Sequence, residues 1–144
     1  MALPDSIAWQ SPSNRTSGIA SASVSTDAGY VGSAINNATN KDQYADIEIE
    51  WSFAVAPTAN KSLLVYLIRS IDGTNYEDGD ASTQPSSPIV LAVSPPADTS
   101  THRRMVARVP IPPQAFKALV WNDGTGQTAT VTVTIETYRD EIVD

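Results

Sequence analysis

Asp46-Ile-Glu-Ile-Glu-Trp-Ser-Phe-Ala-Val55 is the stretch on which the fold turns. Apolar Ile47, Ile49, Trp51, Phe53 and Val55 alternate with Asp46, Glu48, Glu50, Ser52 and Ala54. Successive side chains of a strand point to opposite faces, so this period of two predicts one buried face and one wet face. A helix would scatter the same five apolar residues around its circumference. The strand is expected to run to Ala56-Pro57, where proline ends the ladder.

The stretches on either side extend the pattern. Ser62–Ser70 is apolar on both faces and predicts a central strand covered on each side. Residues 89–93 form a short apolar run. In residues 103–109, Met105, Ala107 and Val109 alternate with Arg104, Val106 and Arg108, and Pro110, Pro112 and Pro113 break the run. Residues 115–121 lead into the turn-rich Asn122-Asp-Gly-Thr-Gly126. Residues 128–138 place Ala129, Val131, Val133 and Ile135 on one face and threonines on the other. Upstream, residues 18–24 predict a strand with Ala20, Ala22 and Val24 on one side and Ile19, Ser21 and Ser23 on the other. Residues 25–42, with Gly29, Gly32 and paired asparagines, predict a loop. No segment shows a convincing helical stripe. The sum is an all-β chain, an antiparallel β-sandwich of seven or eight strands that is jelly-roll-like. Its predicted core is Ile47, Ile49, Trp51, Phe53, Val65, Leu67, Val131, Val133 and Ile135.

Composition narrows the function. The 144 residues suit one domain, and 41% apolar with 17% charged residues are enough to build a core. A net charge of −7 speaks against a nucleic-acid backbone or an anionic membrane as partner. With no cysteine, disulfides and thiolate chemistry are excluded. Met1-Ala-Leu-Pro-Asp5 lacks the basic and apolar runs of a signal peptide, and no apolar run approaches the ~20 residues of a helical membrane span.

Residues 1–17, rich in small polar residues and proline, predict an extended N-terminal arm, followed by the sandwich at 18–139 and a charged tail at 140–144. Leu3, Ile7 and Trp9 are the arm's apolar points, and with Trp121, beside a Gly-rich turn, they are the candidate interface residues. No catalytic, cofactor-binding or metal-ligating set emerges. His102 is the only histidine and predicts a solvated loop residue beside Arg103 and Arg104. Asp46, Glu48 and Glu50 fit the wet face of their strand better than a hydrolase pair. Asp72, Asn75, Glu77, Asp78 and Asp80 do not match the spacing of an EF-hand and fit a turn-forming acidic loop. Tyr30 and Tyr44 flank a loop, where a sugar platform is a weaker expectation than core or interface packing.

Ala59-Asn-Lys-Ser-Leu-Leu-Val-Tyr-Leu-Ile-Arg-Ser-Ile-Asp-Gly-Thr-Asn-Tyr-Glu-Asp-Gly79 resembles a pattern in small virion structural proteins of tailed bacteriophages, of the head decoration or cement kind. Arg103-Arg104, Pro110-Ile-Pro-Pro-Gln-Ala-Phe-Lys-Ala-Leu-Val-Trp-Asn122 and the Thr/Val strand before the tail continue the resemblance, over about residues 45–140. It implies a non-enzymatic protein on the capsid surface, made in the host bacterial cytoplasm. Its partners would be the major capsid protein or another virion protein, and further copies of itself, a trimer being favoured. It carries no catalytic residues. Asp-Gly-x-x-aromatic turns also occur in carbohydrate-binding sandwiches, so the alternative is a sugar-binding or host-adhesion module of a phage tail.

Overall fold

The computed structural model describes residues 6–9 and 15–143. Eleven strands are present among the described residues: β1 (Ser6–Trp9), β2 (Arg15–Val24), β3 (Ala28–Val31), β4 (Ile35–Asn36), β5 (Tyr44–Phe53), β6 (Ser62–Ser70), β7 (Leu91–Val93), β8 (His102–Pro110), β9 (Ala115–Asp123), β10 (Ala129–Tyr138) and β11 (Asp140–Val143). No helix occurs among the described residues.

Two antiparallel sheets hold nine of the strands. One has the order β2-β10-β5-β8, the other β3-β9-β6-β7, with β4 also bonded to β9. The pairs nest along the chain: β6 with β7, β5 with β8, β3 and β4 with β9, β2 with β10. This nested ribbon is rolled until β5 meets β10 and β6 meets β9, which makes a jelly roll. The two sheets face each other over one core. All nine predicted core residues are buried there, and Ile19, Ala22, Val24, Leu63, Phe116, Ala118 and Val120 join them.

The structure corrects the sequence reading at several points. Val55 is exposed, because the chain bends after Phe53 and the strand stops there. The 89–93 run narrows to the three residues of β7. Stretch 25–42 holds β3 and β4. Gly29 and Gly32 hid them, since glycine is a weak strand signal, yet both are demanded by close approach. A Cβ on Gly29 would lie 2.8 Å from the Asp80 carbonyl oxygen, and one on Gly32 would collide with the Gly18 carbonyl.

Two strands were phased wrongly, for one reason. In β8, Val109 pairs with Ala45 and Val106 with Ile47, so Ala107 and Arg108 together oppose Asp46. That bulge, with Arg108 at φ 57°, turns both valines toward the core and leaves Met105 exposed. In β2, the register against β10 shifts between Ala22 and Ile19, so Ile19 shares the inner face with Ala22 and Val24. Strict alternation cannot register an inserted residue.

The five-stranded sheet is buried on its outer face too. Leu64, Tyr66, Ile68, Leu119 and Trp121 form a second cluster with Val31 and Tyr76. The 71–88 segment contributes to its cover: Gln84 donates to the Tyr66 hydroxyl at 2.8 Å. β6 is therefore covered on both sides, as its composition predicts.

The inter-sheet core sets a clear expectation. Trp51→Ala should cost about 3–5 kcal/mol, the usual loss for truncating a buried large aromatic. Glu48→Ala, one strand face away, should stay within about 0.5 kcal/mol. Urea unfolding of both variants measures the contrast, and equal losses would refute the register of β5.

Candidate functional site

The candidate interface begins where the termini meet. β1 pairs antiparallel with β11, Ser6 opposite Val143, Ile7 opposite Ile142, Ala8 opposite Glu141 and Trp9 opposite Asp140. This two-stranded ribbon joins neither sheet. Ile7 and Trp9 lie on it, and Leu3 falls outside the described residues.

The corner from which the ribbon departs is tightly tied. The Arg108 guanidinium donates to Asp140 Oδ2 at 2.6 Å and lies 4.2 Å over the Tyr44 ring. The Arg108 backbone N–H and the Tyr138 hydroxyl both donate to Asp46 Oδ1, at 2.9 Å each. Tyr44 and Tyr138 sit ring against ring with centroids 6.0 Å apart, and Arg139 donates to the Asn40 carbonyl at 2.7 Å. Burial, then the bond to Asp46, raises the Tyr138 pKa and keeps that hydroxyl protonated as a donor. The bulge in β8 is what aims Arg108 at this corner. Sequence reasoning missed the cluster because Tyr44, Arg108 and Tyr138 come from three distant strands.

Trp121 takes a different place from Ile7 and Trp9. It lies within the second cluster on the outer face of β9, 7% exposed, with Gly29 against its ring. Tyr30 is 42% exposed on β3.

Asp46 and Glu48 meet Glu136 at the surface of the four-stranded sheet. Glu50 pairs with Arg103, while Asp46 belongs to the ribbon corner. A shallow depression of about 150 Å³ on the outer face of the four-stranded sheet is lined by Arg15, Asp46, Glu48, Met105, Thr134 and Glu136. No group of three acidic or histidine side chains poised for a metal occurs among the described residues.

The acidic loop uses its carboxylates as internal scaffolding. Asp72 Oδ1 accepts from the N–H groups of Thr74 and Asn75 and from the Ser70 hydroxyl, and Oδ2 accepts from the Asn75 amide. Asp80 accepts from the N–H groups of Ser82 and Thr83. Glu77 forks onto Arg69, and Asp78 accepts from Ser86. Asp72 and Asp80 thus satisfy turn donors locally, the ordinary work of Asx turns, while Glu77 and Asp78 tie the loop to Arg69 and Ser86.

His102 is not a free loop residue. It opens β8, stacks on Trp51 with ring centroids 5.6 Å apart, and its Nε2 lies 2.8 Å from Asp98 Oδ1. Its bond to Asp98, followed by the Ser100 N–H, holds the Asp98 carboxyl below the usual aspartate range.

No family model and no curated protein matches the chain. Solved structures similar to it include a chain of Bacillus endospore appendages, described as a family of disulfide-linked pili, at 9% identity, 96% coverage of both chains and a TM-score of 0.42. Another is the carbohydrate-binding module CBM4, at 12% identity over 90% of this chain and 96% of that one, with a TM-score of 0.40. Both are β-rich.

The loop geometry has a pH signature. The N–H groups of Asn75 and Thr74, and then side-chain donors, hold the Asp72 carboxyl far below the usual aspartate range. A carboxyl group lowered in the folded state stabilises above its unfolded pKa and loses that contribution as pH falls through the folded value. The loop should therefore keep its hydrogen bonds from neutrality down past the ordinary value of ~3.9 and loosen only below it. The Thr74 and Asn75 amide resonances should titrate with a midpoint under that value, and a midpoint at or above it would contradict the geometry.

Proposed function

We propose that this chain is a non-enzymatic structural component of a tailed-phage virion, a decoration or cement protein on the capsid surface. It works as a homo-oligomer, a trimer where the shell offers threefold positions, with the major capsid protein or another virion protein as partner. The observation that carries this reading is the terminal ribbon. A two-stranded ribbon of four residue pairs is marginal alone in water, and among the described residues β1 and β11 pair only with each other. Its outer edges offer backbone donors and acceptors to a neighbouring chain. The Arg108–Asp140 corner gives it a fixed exit from a rigid sandwich. The acidic balance of −7 limits indiscriminate association between copies. The sequence resemblance over residues 45–140 points the same way.

A carbohydrate-binding or host-adhesion role would call for an exposed aromatic platform. Of Tyr30, Tyr44 and Trp121, Trp121 is buried and Tyr44 is covered by Arg108, which leaves Tyr30.

Deleting residues 2–9 tests the proposal. The sandwich should unfold within about 0.5 kcal/mol of the full chain, since β1 joins neither sheet. Oligomerisation, read by native mass spectrometry, or binding to expanded capsids lacking decoration should be lost. Full assembly and capsid binding by the truncated chain would place the contact elsewhere and overturn the proposal.

A further inference from the structure

On one side of the sandwich the two sheets end in edge strands. β7 is bonded only to β6 and β8 only to β5, so each carries a free outer edge. Between them opens a cleft of about 400 Å³ lined by Leu91, Ala92, Val93, His102, Arg103 and Arg104, with Trp51, Ser94 and Pro96 completing it. It lies at the opposite end of β8 from the ribbon corner and is independent of the assembly role proposed above.

Three features give this cleft a ligand preference. First, its ionisable lining is basic, in a chain whose net charge is −7. The acids nearest to that lining are already engaged, Glu50 by Arg103 and Asp98 by His102. Second, Arg104 is exposed and makes no hydrogen bond or ion pair among the described residues, so its five donors are free. Third, Trp51 is buried at 3% exposure, and its indole Nε1–H has no acceptor. A buried unpaired donor is costly and calls for an explanation. The cleft thus offers surplus donors, beside two strand edges that need partners.

We infer that this cleft binds an extended acidic segment of a partner protein, which adds as a strand along the edge of β8 and sets a carboxylate against Arg104. Strand addition supplies main-chain hydrogen bonds, and alternate side chains supply specificity. Arg104 lies opposite Ile49 on the inner face, so the segment's carboxylates turn into the cleft and its alternate, uncharged side chains lie on the outer face beside exposed Met105. A second β8 is a poor occupant, because Arg103, Arg104 and Arg108 would face their own kind.

The test uses the full chain, uniformly labelled with ¹⁵N, and fluorescein-labelled peptides. The probe alternates Asp with Val; its controls alternate Lys with Val, or carry N-methyl groups on alternate residues of the acidic probe. The three tryptophans give three indole N–H signals, and loss of one in Trp51→Phe assigns Trp51. The expected result is saturable binding of the acidic probe, with the Trp51 indole signal moving and binding weakened by salt. Arg104→Glu should weaken binding roughly tenfold or more, the loss of one charge-assisted contact. Lys61→Glu, an equal change in net charge on an exposed loop, should leave it intact, and N-methylation should abolish it. The inference fails if the acidic probe does not bind or if the Lys-Val peptide binds as well. It fails equally if both charge variants weaken binding alike, if the Trp51 signal stays still, or if the N-methylated probe binds undiminished.

Discussion

The ladder between β5 and β10 is the constraint from which the rest of the molecule follows. It runs without a slip from Phe53 opposite Ala129 to Tyr44 opposite Tyr138. Along it Ile47 meets Ile135, Ile49 meets Val133 and Trp51 meets Val131, all on the inner face. On the outer face Glu48 and Glu50 meet Thr134 and Thr132. A shift of one residue would send every one of those apolar groups to water, so the register is strongly specified. This ladder also closes the roll. β5 and β10 lie far apart in the chain, and their pairing brings β2 to one flank and β8 to the other. The β6:β9 ladder closes the second sheet in the same way, with Val65 opposite Val120 and Leu67 opposite Ala118. The core is what the two closures enclose.

That dependence explains what could be read from sequence. β5, β6 and β10 carry unbroken patterns, and their core residues are where periodicity puts them. β2 and β8 border the closing pair, and each bears a bulge that periodicity cannot show. Half the inward residues of β8 were therefore placed outward. β3 and β4 hide among glycine and asparagine, since Gly29 and Gly32 are demanded by close approach and only Val31 and Ile35 pack on the clusters as large apolar residues. The second cluster was half legible: β6 announces a covered outer face, but the covering 71–88 segment has no period to announce it. The ribbon corner was the least legible, since Tyr44, Asp46, Arg108, Tyr138 and Asp140 converge only through tertiary contact.

The bulges also bear on solubility. Edge strands present unpaired backbone groups and invite aggregation. β8 answers with three arginines, the Ala107-Arg108 bulge and Pro110 at its end, and β2 with a broken register. The devices that defeated the pattern reading are thus the ones that keep a chain of exposed strands from pairing at random. They leave the outer edges of β1 and β11 as the less defended ladder positions, at the site where the termini meet.

Charge placement sharpens this distinction between wanted and unwanted pairing. The Arg103–Glu50 and Arg108–Asp140 pairs are solvent-exposed, and such pairs contribute about 0–1 kcal/mol each. They do little to hold the fold, so their value lies in position. Three of the nine basic residues stand on one edge strand, beside a sheet surface that carries Asp46, Glu48, Glu50 and Glu136. Two of the three are neutralised by their pairs, and Arg104 is left as the uncompensated cation of the β8 edge. A second copy approaching through β8 meets like charge and a bulge, whereas a strand bearing carboxylates meets a free guanidinium and unpaired backbone. The same edge that resists self-association therefore selects for the opposite sign, and selectivity of this kind requires no deep pocket, only a strand edge whose charge disagrees with that of the rest of the molecule.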